Sequence, residues 1–564
     1  VVEIDLLDVH HASLKQNVKI LFICFSRTEE GSTPVFMNTL EGWARIVPLL
    51  ALAIPAIYAL TALTSPRRAG LAAGAAPALA LLFAGGAAAT GGASGAGSVS
   101  LGVRIDALTC TMLLLVGALG AIIVRYSRAY LQGDPGLERY LRWLLLTLGA
   151  VSILLLSNNL LVVALGWTAT SVTLHQLLTF YQDRTPALVA AHKKFLVSRL
   201  ADLCFLVSLV LVDRTVGSLA LDRIYAWTAA HPQLNPSMQG AAVLVVVAVA
   251  LRSAQLPFHG WLLQVMEAPT PISALLHAGV VNLGGFLLIR LAPWMVHAHA
   301  AQLLLVILGL TSAILAALVM TTRVSVKVAL AWSTCAQMGF MLVQCGLGLW
   351  HLALLHLVAH SLYKAHAFLS AGTAVEEWRL QSLSGGATSF SRGRLLGATL
   401  VAGGSVVFGV LALRRLVPMS PAEELSTPVF AALVGLSMVP LLASRVSGVE
   451  VLLGLGARVV GVILLYTGVH GAAALLMPPP VQEPSTLAWA LVASGFLGLF
   501  ALKTALQQRP HGALANRLYP WLFAGFYLDE GFTRLTFRLW PPRLQPQGER
   551  ARPLELQQPV EARA

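Results

Sequence analysis

Charge is what this chain has least of. Only 11% of its 564 residues are Asp, Glu, Lys or Arg, where a soluble globular chain carries about a quarter. Too little polar surface remains to face water on all sides, which excludes an ordinary soluble domain. Cysteine is also sparse. The five residues Cys24, Cys110, Cys204, Cys335 and Cys345 form no CxxC pair, and four of them lie inside apolar segments. Small buried hydrophobes account for them, so neither a disulfide framework nor a structural zinc site is expected. A nucleophile triad, a phosphate-binding loop and a metal-ligand set are missing too. The chain is therefore not expected to be an enzyme, nor to hold a cofactor of its own.

Apolar residues are abundant, at 57% of the chain with a mean hydropathy of +0.75. Apolar runs recur along almost the whole length, many reaching the roughly 20 residues that a spanning helix needs. The expected fold is all-α, a polytopic membrane protein of about 13–15 transmembrane helices. Spans are expected near 44–64, 71–91, 107–124, 143–157, 159–181, 195–213, 240–258, 272–293, 301–321, 326–346, 350–372, 396–413, 428–444, 451–476 and 486–505. The joins at 157–159 and 346–348 leave room only for tight turns. Residues 1–36 are polar apart from the run 20–25, which is too short for a signal-peptide core. They read as a dispensable extension before the apolar helices of 37–100. A core over 101–380, further helices over 381–505 and a tail over 506–564 complete the division.

The net charge of +13 is spread over short loops. That pattern is a topology signal and points away from nucleic acid. Arg67, Arg68, Arg125, Arg128, Arg139, Arg142, Arg184, Lys193, Lys194, Arg323, Arg379, Arg392 and Arg394 fall in one set of loops, with Arg414 and Arg415 the main exception. The positive-inside rule puts the rich set in the cytoplasm, the amino terminus outside and the tail inside a bacterial inner membrane. That tail interleaves Tyr519, Trp521, Phe523, Phe526, Tyr527, Phe532, Phe537 and Trp540 with Arg517, Arg534 and Arg538. It suits either an amphipathic helix at the membrane surface or a docking site for a soluble partner at Trp521, Phe526, Tyr527 and Asp529. From Pro541 onward the composition is that of a disordered segment.

An ionisable residue at membrane depth costs several kcal/mol and is a functional hypothesis by default. Arg199 and Asp202, three apart, share a helix face. They either neutralise each other or form a pair that holds and releases a proton as a neighbour changes charge. Arg252 lies one turn before Pro257, whose missing amide proton and steric clash predict a broken helix. Such breaks mark ion sites in transporters. Arginine keeps its proton, so Arg252 is a fixed charge rather than a carrier. Pro269 and Pro271 introduce the next helix, which carries His277 in an apolar stretch, a residue type that binds and releases protons near neutrality. Lys327 opens a later span and would snorkel if it sits within a turn of the interface. His356, His360 and Lys364, each four apart, make one polar stripe that should face the protein interior. Two histidines at that spacing could hold a metal, but nothing nearby in the sequence completes the site, and a proton relay ending in Lys364 fits better.

The run Arg252-Ser253-Ala254-Gln255-Leu256-Pro257, then Pro269-Thr270-Pro271 through His277, then Lys327 through Thr334, Gln337-Met338-Gly339-Phe340 and His356-x3-His360-x3-Lys364 resembles the antiporter-like subunits of respiratory complex I. Subunit L and the large subunit of Mrp-type sodium/proton antiporters are the best matches, over roughly residues 100–375. The resemblance implies two inverted five-helix repeats with broken helices, and protons passing along buried lysines, histidines and carboxylates. It implies that Arg252 stands in place of a central lysine, and that Arg199, Asp202, His277, Lys327, His356, His360 and Lys364 fall on the polar axis. Two departures stand out. Thr168 occupies the place of a switch glutamate, and past residue 380 neither a second central lysine nor a long lateral helix is recognisable. These departures, with 332–340, 360–368 and 519–532, look like a narrower group, the DabB-type membrane subunits of DAB inorganic-carbon accumulation complexes. That likeness implies a cytoplasmic DabA-like partner with a zinc site of carbonic-anhydrase type, energised by protons or sodium ions moving through this chain. A complex I or Mrp subunit, and a passive membrane anchor for an enzyme, are the alternatives.

Overall fold

In the computed structural model, residues 34–89, 98–181, 184–265, 268–373 and 485–541 are described, with scattered positions between 397 and 415. Helices α1 (Pro34–Thr64) and α2 (Ala69–Ala89) pair across a 3-10 turn at Pro66–Arg68 and pack on α3 (Ala107–Tyr130) and α4 (Leu137–Leu156). Before α3 the chain makes a small hairpin, β1 (Ser98–Ser100) against β2 (Val103–Ile105). Its two turn residues, Leu101 and Gly102, both take positive φ, 51° and 74°, as the commonest two-residue hairpin turns require. Asp106 then caps α3 by accepting from the Thr109 amide at 2.8 Å.

Helix α5 (Leu160–Leu178) leads to α6 (Thr185–Val216), the longest of the core at 32 residues. At 1.5 Å per residue it runs about 48 Å, longer than the hydrocarbon layer is thick. The apolar pattern places this span at 195–213. The helix starts a decade earlier because Lys193 and Lys194, which look like interfacial residues, are buried in its first turns. After the short α7 (Leu221–Ala230), α8 (Pro236–Arg252) stops five residues before Pro257 and the chain resumes as α9 (Gly260–Gln264). The expected break is present. A second interruption was not expected: the span near 272–293 divides into α10 (Thr270–Ala278), a 3-10 turn at Val280–Asn282, and α11 (Leu283–Arg290). Asn282 props that kink open, donating to the Ala278 carbonyl at 2.9 Å and to Ser361 Oγ at 2.7 Å. A short α12 (Ala292–Met295) follows.

Helices α13 (His299–Met320) and α14 (Val326–Gly346) pack along each other over most of their length. Gly309 and Gly339 oppose each other there, and a Cβ on either would lie 2.5–2.6 Å from the other's carbonyl oxygen. Small residues at such a contact let backbones approach in a membrane. Helix α15 (Trp350–Leu369) packs on α10 and α11. The last helices are α16 (Thr486–Gln508), α17 (Ala513–Phe523) and α18 (Leu528–Leu539).

Among the described residues, ten helical segments are long and apolar enough to cross a membrane, counting Thr270–Arg290 as one. Pro236–Arg252 is shorter but apolar, and Trp350–Leu369 is the twelfth segment matching an expected span. The spans expected near 396–413, 428–444 and 451–476 fall outside the described residues for the most part, as does the extension at 1–33. Burial fixes what is central. In the most apolar window of Thr270–Arg290, 94% of residues are buried, against 17% for Thr486–Gln508. The kinked segment is the axis of the bundle, and α16 lies at its edge.

Candidate ion-conduction site

The first group of buried charges lies where α5, α6 and α8 meet. Arg252, on the last turn of α8, donates through one guanidinium nitrogen to the Trp167 carbonyl at 2.9 Å and to Asp202 Oδ1 at 2.8 Å. Its guanidinium also covers the Trp167 ring at 4.8 Å. Arg199, three residues before Asp202 on α6, reaches Oδ2 at 2.8 Å. The Arg199–Asp202 neighbours do pair, and Arg252 shares the same carboxylate. With Thr168 and Arg252 at these places, the carboxylate–lysine pair expected of the resemblance is absent. Asp202, from the next helix, supplies Arg252 with a carboxylate instead, and Trp167 contributes its backbone oxygen. Lys194, two turns before Asp202, is buried and donates to the Ser171 carbonyl at 2.7 Å and Ser171 Oγ at 2.9 Å.

A second group gathers where α10, α14 and α15 meet. His277 is buried, stacks on Phe368 with ring centres 4.3 Å apart, and its Nδ1 lies 3.0 Å from Thr334 Oγ1. Lys364, fully buried, donates to Ser333 Oγ at 2.9 Å and to the Leu330 carbonyl at 3.1 Å. His360 is buried with neither ring nitrogen hydrogen-bonded among the described residues, and Nε2 of His277 is in the same state. His356 Nδ1 lies 2.9 Å from Gln344 Oε1, and the His356 and His360 ring centres are 6.0 Å apart. Among the described residues no three His, Cys, Asp or Glu side chains converge as metal ligands. Lys327 does not snorkel freely. It donates to Thr270 Oγ1 at 2.9 Å and so ties the start of α14 to the start of α10. Between the two groups runs the non-helical linker around Pro257, held by the Leu256 amide on Ser312 Oγ at 3.2 Å.

Chemically, the second group is a row of hydroxyls, imidazoles and one amine. Each of these can both give and take a proton or a hydrogen bond. The first group is one acid held by two permanently charged guanidinium groups, with the Lys194 amine nearby.

The tail folds back onto one end of the bundle. Asp529 accepts from Lys193 Nζ at 2.7 Å and from Gln264 Nε2 at 3.0 Å. Gly260 makes this possible, since a Cβ there would collide with the Asp529 carboxylate. Phe532 meets Phe258 edge-on at 5.4 Å. Arg323 donates to the Leu522 carbonyl at 3.1 Å and lies over both Trp332 and Phe523. Of the residues expected to dock a partner, Asp529 is turned inward and Phe526 packs against the core, while Trp521 and Tyr527 are exposed.

At the opposite end Asp106 joins three elements. It binds Arg104 of the hairpin at 2.9 Å, and it accepts from Arg290 of α11. Burial alone would push its carboxyl up, but the Arg290 and Arg104 guanidinium groups and the Thr109 amide hold it well below the usual carboxylate range. The sequence offered a sign of this residue that passed unused: an acid immediately before a long apolar run is a helix N-cap.

Two family profiles match. One, described as "NADH:quinone oxidoreductase/Mrp antiporter, TM", covers residues 157–396, and the other, "NADH-Ubiquinone oxidoreductase (complex I), chain 5 N-terminus", covers 93–141. The "Probable inorganic carbon transporter subunit DabB" of Hydrogenovibrio crunogenus is 40% identical over 470 residues, 81% of this chain and 87% of that protein. The chain belongs to the DabB family. A second DabB relative, "Probable inorganic carbon transporter subunit DabB2" of Halothiobacillus neapolitanus, is 37% identical over 80% of this chain and 83% of its own length. Subunit L of the NADH-quinone oxidoreductase of Rhodobacter capsulatus is 33% identical over half of this chain and 42% of its own. The Mrp complex from Dietzia sp. DQ12-45-1b has the same fold, with a TM-score of 0.55 and 22% identity over 87% of this chain and 60% of that one. Like these antiporter-type relatives, this DabB-family chain is a multi-helix membrane protein. Its broken helix ends at Arg252, which pairs there with Asp202 of α6.

Proposed function

We propose that this chain is the cation-conducting membrane subunit, with protons as the cation, of an energy-coupled complex that accumulates inorganic carbon. Membership of the DabB family supports the setting. The observation that carries conduction is the buried row His277, Lys364 and His360 in the most enclosed part of a membrane bundle. Groups that are costly at such depth persist where they carry ions. Protons entering from the periplasmic side pass along His356, His360, Lys364 and His277, with Thr334, Ser333 and Gln344 as hydroxyl and amide relays. Lys327 and Thr270 form the lower rung of the same axis. Arg252, Arg199 and Asp202 set the field at the helix break.

The tail faces the cytoplasm in this reading and receives a zinc-containing partner of DabA type, which would hydrate CO2 to bicarbonate with carbonic-anhydrase-like chemistry. Its docking surface is the exposed aromatic set Tyr519, Trp521, Phe523 and Tyr527, while Asp529 serves as the hinge between tail and bundle. The complex is tested by expressing Lys364→Ala and His360→Ala variants in a host lacking carbonic anhydrase. Each variant is expected to assemble with its partner and fail to restore growth in air. Growth equal to the parent would refute conduction through this row and leave the chain a passive anchor.

A further inference from the structure

Three charges around the helix break cannot by themselves move a proton. Arg252 and Arg199 both hold Asp202, and a guanidinium does not deprotonate in a protein. A carrier on this side of the bundle must be another group, and Lys194 is buried close by. It is 2% exposed, on the same face of α6 as Ser198 and Asp202, one and two turns further on. The adjacent Lys193 has a carboxylate, Asp529. Lys194 has none among the described residues: its amine meets only the carbonyl and hydroxyl of Ser171.

Ser171 belongs to a matching stripe on α5. Trp167, Ser171 and His175 recur at intervals of four, so they line one face. Trp167 gives its carbonyl to Arg252, Ser171 holds Lys194, and Nδ1 of His175 is buried without a partner among the described residues. The facing stripes therefore form a polar lane from the Asp202–Arg252 pair toward the end of the bundle closed by the tail. The charges that act on Lys194 are Arg252 from α8, with Arg199 and Asp202 from its own helix. His175 faces it from α5, and Asp529 of α18 is engaged by Lys193. The Ser171 hydroxyl can accept from an ammonium and donate to a neutral amine, so it serves both protonation states.

We propose that Lys194 is the exchangeable proton carrier of this half of the bundle, relaying protons between Asp202 and the tail end beside fixed charges on Arg252 and Arg199. In one step a proton arriving from the Asp202 end of the lane passes to the Lys194 amine, which becomes ammonium, while Asp202 stays carboxylate between its two guanidinium groups. In the next the ammonium releases that proton toward His175 and returns to amine. The inference rests on the proton-conducting reading above.

The test uses the intact complex with its partner, reconstituted in vesicles containing a pH-sensitive dye and challenged with an acid jump. Lys194→Arg keeps the charge but cannot shed it, and Lys194→Gln has nothing to protonate. Both are expected to lower proton flux about tenfold or more, the scale of lost acid–base relay groups. Lys194→His is expected to keep measurable flux with its pH profile moved to lower pH, since imidazole is intrinsically the weaker base and the same burial acts on either group. Ser171→Ala, which removes only a hydroxyl, is expected to move the profile as well and serves if a Lys194 variant fails to assemble. Parental flux and an unchanged profile in Lys194→Arg and Lys194→Gln, with Lys364→Ala blocked, overturns this proposal alone. Parental flux in Lys364→Ala too overturns the conduction reading itself.

Discussion

Asp202 holds two guanidinium groups at once, with 9% of its side chain exposed. Removing one partner from a buried ion pair costs about 3–5 kcal/mol, because the survivors remain buried and uncompensated. Asp202→Asn is expected to fall in that range and to lower the thermal unfolding midpoint in detergent. Adding Arg252→Gln to it should recover much of the loss, since one of the two stranded charges is then gone. A single variant as stable as the parent would contradict the pairing. Helical spacing made Arg199–Asp202 legible in advance, since three residues apart is a neighbour on any helix. The contact with Arg252 was not legible. Its partner is 50 residues away, and only the packing of α6 against α8 brings them together. The stripe His356, His360 and Lys364 was readable for the same local reason. Its partners Ser333 and Gln344 sit on another helix and had no such signature.

The tail helix α18 is anchored by a contact that a glycine admits. Gly260→Ala would push its Cβ into Asp529, and Asp529→Asn would leave the fully buried Lys193 without its counter-charge. Either change is expected to loosen the tail while the membrane bundle stays folded. Cleavage of a loosened segment follows the population of its open form, with about tenfold more cutting for each 1.4 kcal/mol lost. Trypsin should therefore cut faster in the turn at Arg509, which ends α16. Unchanged protection would mean that the aromatic contacts at Phe258 and Trp332 hold the tail unaided. At this scale the helices themselves were plain from apolar runs, and the break before Pro257 from one residue's chemistry. The kink at Val280–Asn282 was hidden because no proline marks it. A side-chain hydrogen bond to a distant serine stabilises it instead. The hairpin at 98–105 was hidden too, since six residues in two short strands carry little pattern.

Across the whole molecule, polar groups run through the enclosed centre, and lipid-facing residues such as Leu200, Leu203 and Leu206 cover the outside. Along the chain the helix break precedes the central row, and the tail helices come last of the three. Fold class was legible from composition alone, because so few charges leave only a membrane to face. Partner and coupling rest on the family likeness alone and stay proposals, since nothing in a single chain encodes what meets its surface. The central claim is that ion flow through this chain drives accumulation. The most direct measurement is bicarbonate accumulation in vesicles holding the intact complex under an imposed proton gradient, with and without an uncoupler. Collapse of accumulation on addition of the uncoupler is the predicted result, and accumulation that continues undiminished would contradict the account.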